Sequence, residues 1–316
     1  MAEYKGIHGT KIQNYTSDPD NPLVGEVWYN STSNALKYFY INPGSWATKN
    51  NVNSGREAAA GGGTSTAALL FGGSPTVAFT ENWNGTNWTE VNDLNVGRLK
   101  LMAAGQVNTA MLGFGGLDPS PAATVNTETW NGTNWTEVNN LNTAKISGAG
   151  AGTNTAGLGF GGYTPGAGSS NDTEVWNGTN WTEVNNLNSA RKELAGCGDT
   201  NTASLAFGGG ANTELWNGTN WTEVNDLNTS AAELAGSGSS TAALAYGDDT
   251  GPTNAKTEKW NGTNWTEVGD LNTGRKLGAG AGTATTSALY FGGETPPGAL
   301  TEEWNEGSAT VTITTD

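Results

Sequence analysis

Histidine and cysteine are almost missing from this chain, which has one of each, His8 and Cys197, in 316 residues. A single cysteine excludes an intrachain disulfide framework, and its setting, Ala195-Gly196-Cys197-Gly198, is that of a small core residue. A lone histidine near the N-terminus is read as a solvated terminal residue, so no metal or other cofactor is expected and Ser-His-Asp chemistry is out of reach. Basic residues are also scarce, with 14 Lys and Arg against 30 Asp and Glu. The resulting charge of −16 argues against binding nucleic acid, which calls for clustered Lys and Arg along the phosphates. Charged residues make up only 14% of the chain and no apolar run reaches 18 residues, which argues against long disorder and against membrane insertion. The opening MAEYKGIHGTKIQNY lacks the apolar core of a signal peptide, so synthesis in a reducing cytoplasm is expected. The 47 glycines follow no Gly-X-Y period, which excludes collagen, and no helical periodicity is present.

What the chain does have is a repeat. WNGTNWTEV stands complete at 83–91, 130–138, 176–184, 216–224 and 260–268, with a decayed copy at Trp304 and a looser one, INPGSW, at 41–46. Asn-Gly between runs of Thr, Trp and Val is a strong hairpin signal, because both residues accept positive φ. Each regular repeat begins with a small-residue run such as AAAGGGT (58–64). An apolar run closed by Gly-Gly follows, then a loop of uneven length, Thr-Glu, and the Trp hairpin. Four strands per repeat, joined by short turns, predict an all-β fold, a β-propeller of four-stranded antiparallel blades. The Gly- and Ala-rich first strands are expected to line a narrow axial channel, and the 13 tryptophans to pack on the later, roomier strands. The apolar strand ends at Trp28, Phe71, Phe114, Phe160, Phe207, Tyr246 and Phe291 are evenly spaced and favour seven blades. Six blades with an appended N-terminal hairpin is the alternative. Residues 45–56 align without a gap to 180–191, so 25–55 reads as a divergent first repeat and 56–316 as the regular ones, in a single domain. Residues 1–24 form an extension or closing strand, and the alternating run 309–315 is a candidate for the missing first strand of the opening repeat.

An Arg-led first strand, an apolar second strand ending in Gly-Gly, an aromatic on the third and a Trp opening the fourth resemble kelch-repeat propellers, the galactose-oxidase-like group. The likeness is strong over 56–304 and loose over 25–56. The segments YKGIHGTKIQN, SDPDNP and VWYNSTSNALKY resemble kelch-like structural proteins of marine bacteriophages. That resemblance implies a non-enzymatic virion component, tail-associated, presenting loops to a protein partner in the particle or to a host surface receptor. The copper site of the galactose-oxidase group uses two histidines, so the resemblance does not extend to that activity here. A lectin-type or adaptor propeller is the alternative, and an enzyme on a propeller scaffold the third reading.

Several repeat positions are candidate sites. Arg56, Arg98, Lys145, Arg191 and Arg275 share one position, with Ala231 in the remaining repeat. They read either as caps that hydrogen-bond loop carbonyls at blade junctions or as a basic ring on one face. Eleven of the acids fall at two repeat positions, the Thr-Glu step (Glu81 to Glu302) and the residue two after the second Trp (Glu90 to Glu267). Both sets are expected as solvated rings on blade edges. The NGT and NWT triplets match a glycosylation acceptor but are accounted for by turn chemistry. Paired Trp residues could stack on glycans or be buried between blades, and the shortage of other core volume favours burial. The loops between second and third strands vary from five residues to twelve and share a face with the Arg position. Variable loops on a rigid frame are where recognition usually sits. The expected contact surface is therefore Arg56, Arg98, Lys145, Arg191 and Arg275 with Tyr163, Asp248 and Asp249.

Overall fold

The computed structural model describes residues 12–249, 251, 255–294 and 298–313. Among these there are strands and turns and no helix. The chain divides into two compact units, Ser45–Asn305 and the pair of terminal segments Met1–Gly44 with Glu306–Asp316.

The larger unit is a ring of six blades. Blade one is Ala60–Thr64, Ala67–Phe71, Thr80–Trp83 and Trp88–Val91, antiparallel throughout, with Trp83 opposite Trp88 across the hairpin. Blades two to five repeat this plan with inner strands Met102–Val107, Ala149–Gly152, Leu194–Thr200 and Ala235–Ser239. Blade six takes Gly278–Ala284 and Ser287–Gly292, then 301–305 of the strand Thr301–Thr312. Its fourth strand is 45–49 of Ala35–Lys49, the neighbour of Thr301–Thr312 in the sheet. The two ends of the ring are thus stitched in one blade, where Lys49 pairs with Glu303 at 2.6 Å.

Side-chain size sets the order of strands within a blade. A Cβ added at Gly150 on the inner strand of blade three would stand 2.1 Å from the Ala103 carbonyl oxygen of blade two. Only glycine tolerates so close an approach near the axis. All thirteen tryptophans are buried, at 0 to 5% exposure. The Trp that ends each third strand donates its Nε1 to a carbonyl in the same blade's first turn, as Trp83 does to Ser65 at 2.9 Å. The Trp that opens each fourth strand reaches into the preceding blade. Trp135 donates to Thr80 Oγ1 at 3.0 Å and packs on Phe71 with centroids 4.7 Å apart. The pattern runs the whole way round, through Trp181, Trp221, Trp265, Trp46 and Trp88. An indole that fills the inter-blade space and satisfies its own N–H accounts for the burial expected of these residues.

A second circle runs close to the axis. Ala58, Lys100, Ser147, Glu193, Glu233 and Leu277 each lead into an inner strand, and all six are left-handed, with φ between 54° and 59°. Lys100 N donates to Ala58 O, Ser147 N to Lys100 O, and so on through Glu193, Glu233 and Leu277 until Ala58 N donates to Leu277 O. The six bonds measure 2.7 to 3.0 Å. Left-handed backbone costs a non-glycine residue roughly 1–2 kcal/mol. Here it places every N–H and C=O of the circle in a bond that a right-handed turn would leave unmade.

The ring holds six blades, the alternative count, and not the favoured seven. The Trp28 strand, Val27–Asn30, lies in the smaller unit, parallel to Gln13–Tyr15 and antiparallel to 35–38. Its apolar end has the repeat spacing, but no small-residue inner strand precedes it among the described residues. In that unit Asp18 accepts hydrogen bonds from Trp28 Nε1, Asn30 Nδ2 and Lys37 Nζ. Those donors hold its carboxyl down at about 2. Residues 306–312 also belong to this unit, with Ile313 N donating to Leu36 O at 2.8 Å. His8 and residues 314–316 lie outside the described residues.

Candidate interaction face and the buried basic positions

The loops between second and third strands and the links from each blade to the next do share a face of the propeller. Bridges join Leu99 to Leu117, Ile146 to Tyr163 and Gly210 to Ala231 across these two kinds of segment. Blade three extends its loop as a small hairpin, Tyr163–Thr164 against Gly168–Ser169. Tyr163 is half-buried with the Lys192 ammonium 5.7 Å above its ring, and Asp249 is exposed. In blade two Asp118 folds its loop by accepting from Ser120 N, Ser120 Oγ and Ala122 N.

The opposite face is uniform for a reason the sequence did not disclose. In each NGTN turn the first Asn accepts backbone bonds from the two residues that close it, as Asn84 does from Thr86 and Asn87. An Asn after the fourth strand of every blade but the fifth, where Gly269 stands, then ties its blade to the next turn. Asn92 Nδ2 reaches Thr133 O at 3.0 Å and Asn134 Oδ1 at 2.8 Å, and Asn50, Asn139, Asn185 and Asn225 do the same. The side-chain amides of the NGT and NWT triplets are engaged in this network.

The five basic residues are not a contact surface. Arg56, Arg98, Lys145, Arg191 and Arg275 are at most 4% exposed. Each faces the Glu of its blade's Thr-Glu step: Arg56 to Glu81 at 2.6 Å, Arg98 to Glu128 at 2.8 Å, Lys145 to Glu174 at 3.4 Å and Arg191 to Glu214 at 3.2 Å. Arg275 pairs with Glu302 in the same way. The guanidinium also takes loop carbonyls; Arg98 Nη1 donates to Gly115 O and Asn126 O. That fork arrangement is what Arg supplies and Lys does not. In blade three Lys145 Nζ meets the Glu174 carboxylate without a hydrogen bond of normal geometry. Burial pulls the pKa values of Arg98 and Arg191 down from their usual value, opposed by Glu128 and Glu214. These side chains cap loop carbonyls at the blade junctions and form no basic ring on the surface.

The acids need the same correction by half. Glu81, Glu128, Glu174, Glu214, Glu258 and Glu302 are buried at 0 to 5%, their second oxygens taken by backbone N–H groups such as Asn95 N. Glu90, Glu137, Glu183, Glu223 and Glu267 are exposed, and form the solvated edge expected of both sets. Asp248, placed on the contact surface by sequence, is buried at 4%. Of that set only Tyr163 and Asp249 lie where a partner could touch them. Cys197 is buried, and burial pushes its thiol well above its usual value, which leaves it unreactive.

At the centre of the variable-loop face the left-handed circle opens on a shallow hollow. Lys100, Ser147, Glu193 and Glu233 line it with Ala58 and Leu277, so chemistry changes from blade to blade while backbone geometry does not. Deeper along the axis the channel is walled by inner-strand Gly and Ala, and Gln106 donates across it to Gly198 O at 2.9 Å. Among the described residues no group of three His, Cys, Asp or Glu could hold a metal ion.

These features define the protein as a β-propeller with one conserved-geometry face and one variable face. No protein-family model matches the chain, and no curated protein matches it in sequence.

Proposed function

We propose that this chain is a non-catalytic, kelch-like interaction propeller whose variable-loop face meets a partner protein. The observation that carries the reading is the contrast between its faces. One is fixed blade to blade by the Asn network, and the other carries loops of unequal length and composition on the same frame. The contact surface is centred on the hairpin 163–169, the Asp118 loop, Asp249 and the axial hollow, in place of the buried Arg positions. The likeness of the opening segments to phage structural proteins supports a virion component, assembled in the host cytoplasm and presenting this face to a host receptor or to another particle protein. Burial of every tryptophan weighs against glycan stacking as the mode of contact.

Two Fab fragments test this, one raised against the variable loops and one against the NGTN turns. Mass spectrometry of purified particles should find the chain, and the loop-directed Fab should block attachment to host cells while the turn-directed Fab does not. Replacing 163–172 by the short 210–212 loop should weaken partner binding about tenfold or more, as loss of a few central contacts does. Equal effects of the two Fabs, with binding unchanged by the loop exchange, would refute the reading.

A further inference from the structure

Blade five breaks the ion-pair pattern at two positions together. Ala231 stands where the other blades carry Arg or Lys, and Asp248 stands where the other five carry the second glycine of the Gly-Gly step. Glu258 keeps the setting of its counterparts. Its Oε2 accepts from Asn228 N at 2.9 Å and Asn228 Nδ2 at 2.7 Å, and its Oε1 from Thr229 N at 3.1 Å. It is 5% exposed, and no Lys or Arg among the described residues stands within ion-pair distance of it. A carboxylate removed from water calls for a cation as well as hydrogen bonds.

The oxygens that receive the cation are still in place. In blade one Arg56 donates to Ser54 O, Leu70 O, Gly72 O and Phe79 O besides Glu81. The matching residues of blade five are Thr229, Ala245, Gly247 and Lys256, and all four line a cavity together with Glu258 and Asp248. The second change suits the first, and it comes with a different backbone: the matching glycines have positive φ, as Gly73 does at 117° and Gly293 at 107°, and Asp248 does not. A Cβ on Gly73 would stand 3.1 Å from Arg56 Cδ, and one on Gly293 3.4 Å from Arg275 Cδ. With the Arg stem gone an aspartate fits, and it brings a second acid to the seat. As it stands the cavity has room for about one water-sized body. Lys256 lies at its edge, its side chain 40% exposed, with Nζ held by Thr229 Oγ1 at 3.0 Å and 3.8 Å from Glu267.

We propose that this cavity is a binding site for a guanidinium group supplied from outside the chain, seated on Glu258 and the surrounding carbonyls as the internal arginines are in blades one, two, four and six. The incoming group displaces the Lys256 ammonium toward Glu267 and solvent. A free arginine and an arginine side chain on another polypeptide share this chemistry.

Calorimetric titration of the full chain with ethylguanidinium chloride, at fixed ionic strength, tests it. One saturable site is expected, with ethylammonium chloride and calcium chloride giving none. Lys256→Ala should tighten binding roughly threefold or more by removing the competing cation. Ala231→Arg with Asp248→Gly should restore the internal pair, raise the thermal midpoint and abolish binding. Should that variant fail to fold, Ala231→Gln blocks the seat with an amide and should abolish binding equally. Equal affinity for Nα-acetyl-arginine amide and free arginine assigns the site to a side chain of a partner, and preference for the free amino acid assigns it to a metabolite. Absence of a saturable site in both wild type and Lys256→Ala, unchanged binding in the blocked variants, or binding of calcium in place of ethylguanidinium overturns the proposal.

Discussion

Replacement of Gly150 by alanine isolates the steric rule that shapes the propeller. The φ of Gly150 is ordinary, so backbone strain does not enter. The new methyl would meet the Ala103 carbonyl oxygen at 2.1 Å, with Ala103 C and Phe114 Cζ both at 2.9 Å. Rotation relieves a clash with the end of a side chain, but Ala103 is backbone in the neighbouring inner strand, paired with Gly113. Ordinary contact requires the two blades to part by about an ångström, and in a close-packed closed ring that displacement reaches every junction. We expect a loss of about 3 kcal/mol, the upper end for overpacking. At roughly 2 °C per kcal/mol for a chain of this size, the thermal midpoint should fall by about 6 °C. Gly157, in the same hairpin and opposite Gly152, is the control. Its added methyl would lie 3.3 Å or more from its neighbours. The tightest of these contacts offsets the gain from lower entropy of the unfolded chain, so Gly157→Ala should shift stability by less than about 1 kcal/mol. Calorimetry and tryptophan fluorescence read both. Equal shifts for the two variants, or a neutral Gly150→Ala, would refute the reasoning.

Other expectations follow from the buried pairs and the left-handed circle. Arg98→Met leaves Glu128 buried without its cation and should cost about 3–5 kcal/mol in urea unfolding. Lys145→Arg should instead gain about 1 kcal/mol, since the fork reaches carbonyls as well as Glu174 where Lys145 Nζ makes no hydrogen bond. Ser147→Gly should stabilise by about 0.5–1 kcal/mol, the relief of left-handed strain less the entropy cost of glycine, while Ser147→Val should destabilise. Asp18 has a lowered carboxyl pKa, so its contribution to the smaller unit is complete above the ordinary value of 3.8 and disappears as pH falls through about 2. The Trp28 indole N–H resonance should move across that window, and Asp18→Asn should remove the movement.

The blade plan was legible because it rests on local signals repeated many times. Small residues marked the axis, Asn-Gly marked the hairpins, and the match of 45–56 to 180–191 already placed Trp46 on a fourth strand. The count of blades was not legible, since Trp28 shares the spacing of Phe71 and Phe114 without sharing their inner strand. The Arg–Glu pairs were missed because Arg56 and Glu81 are 25 residues apart and regular acids look like a solvated edge. A signal was available: each of the five repeats with a basic residue at that position also carries one Thr-Glu step, and only the repeat with Ala231 keeps its Thr-Glu step alone. The left-handed circle left no trace in sequence. Ala58, Lys100, Ser147, Glu193, Glu233 and Leu277 have no side-chain property in common, because main-chain bonding sets their conformation.

That circle has a consequence for the gene as well as for the fold. A linear array of repeats can gain or lose a copy at its end and leave the other junctions untouched. Here each repeat contributes one donor and one acceptor to a closed polygon, so a change in copy number alters the angle at every corner together. Single duplications or deletions of a repeat are therefore not small steps for this protein, whereas loop changes on one face are. Relatives of this chain are therefore expected to differ in loop length and in the six residues around the hollow, at a constant number of copies.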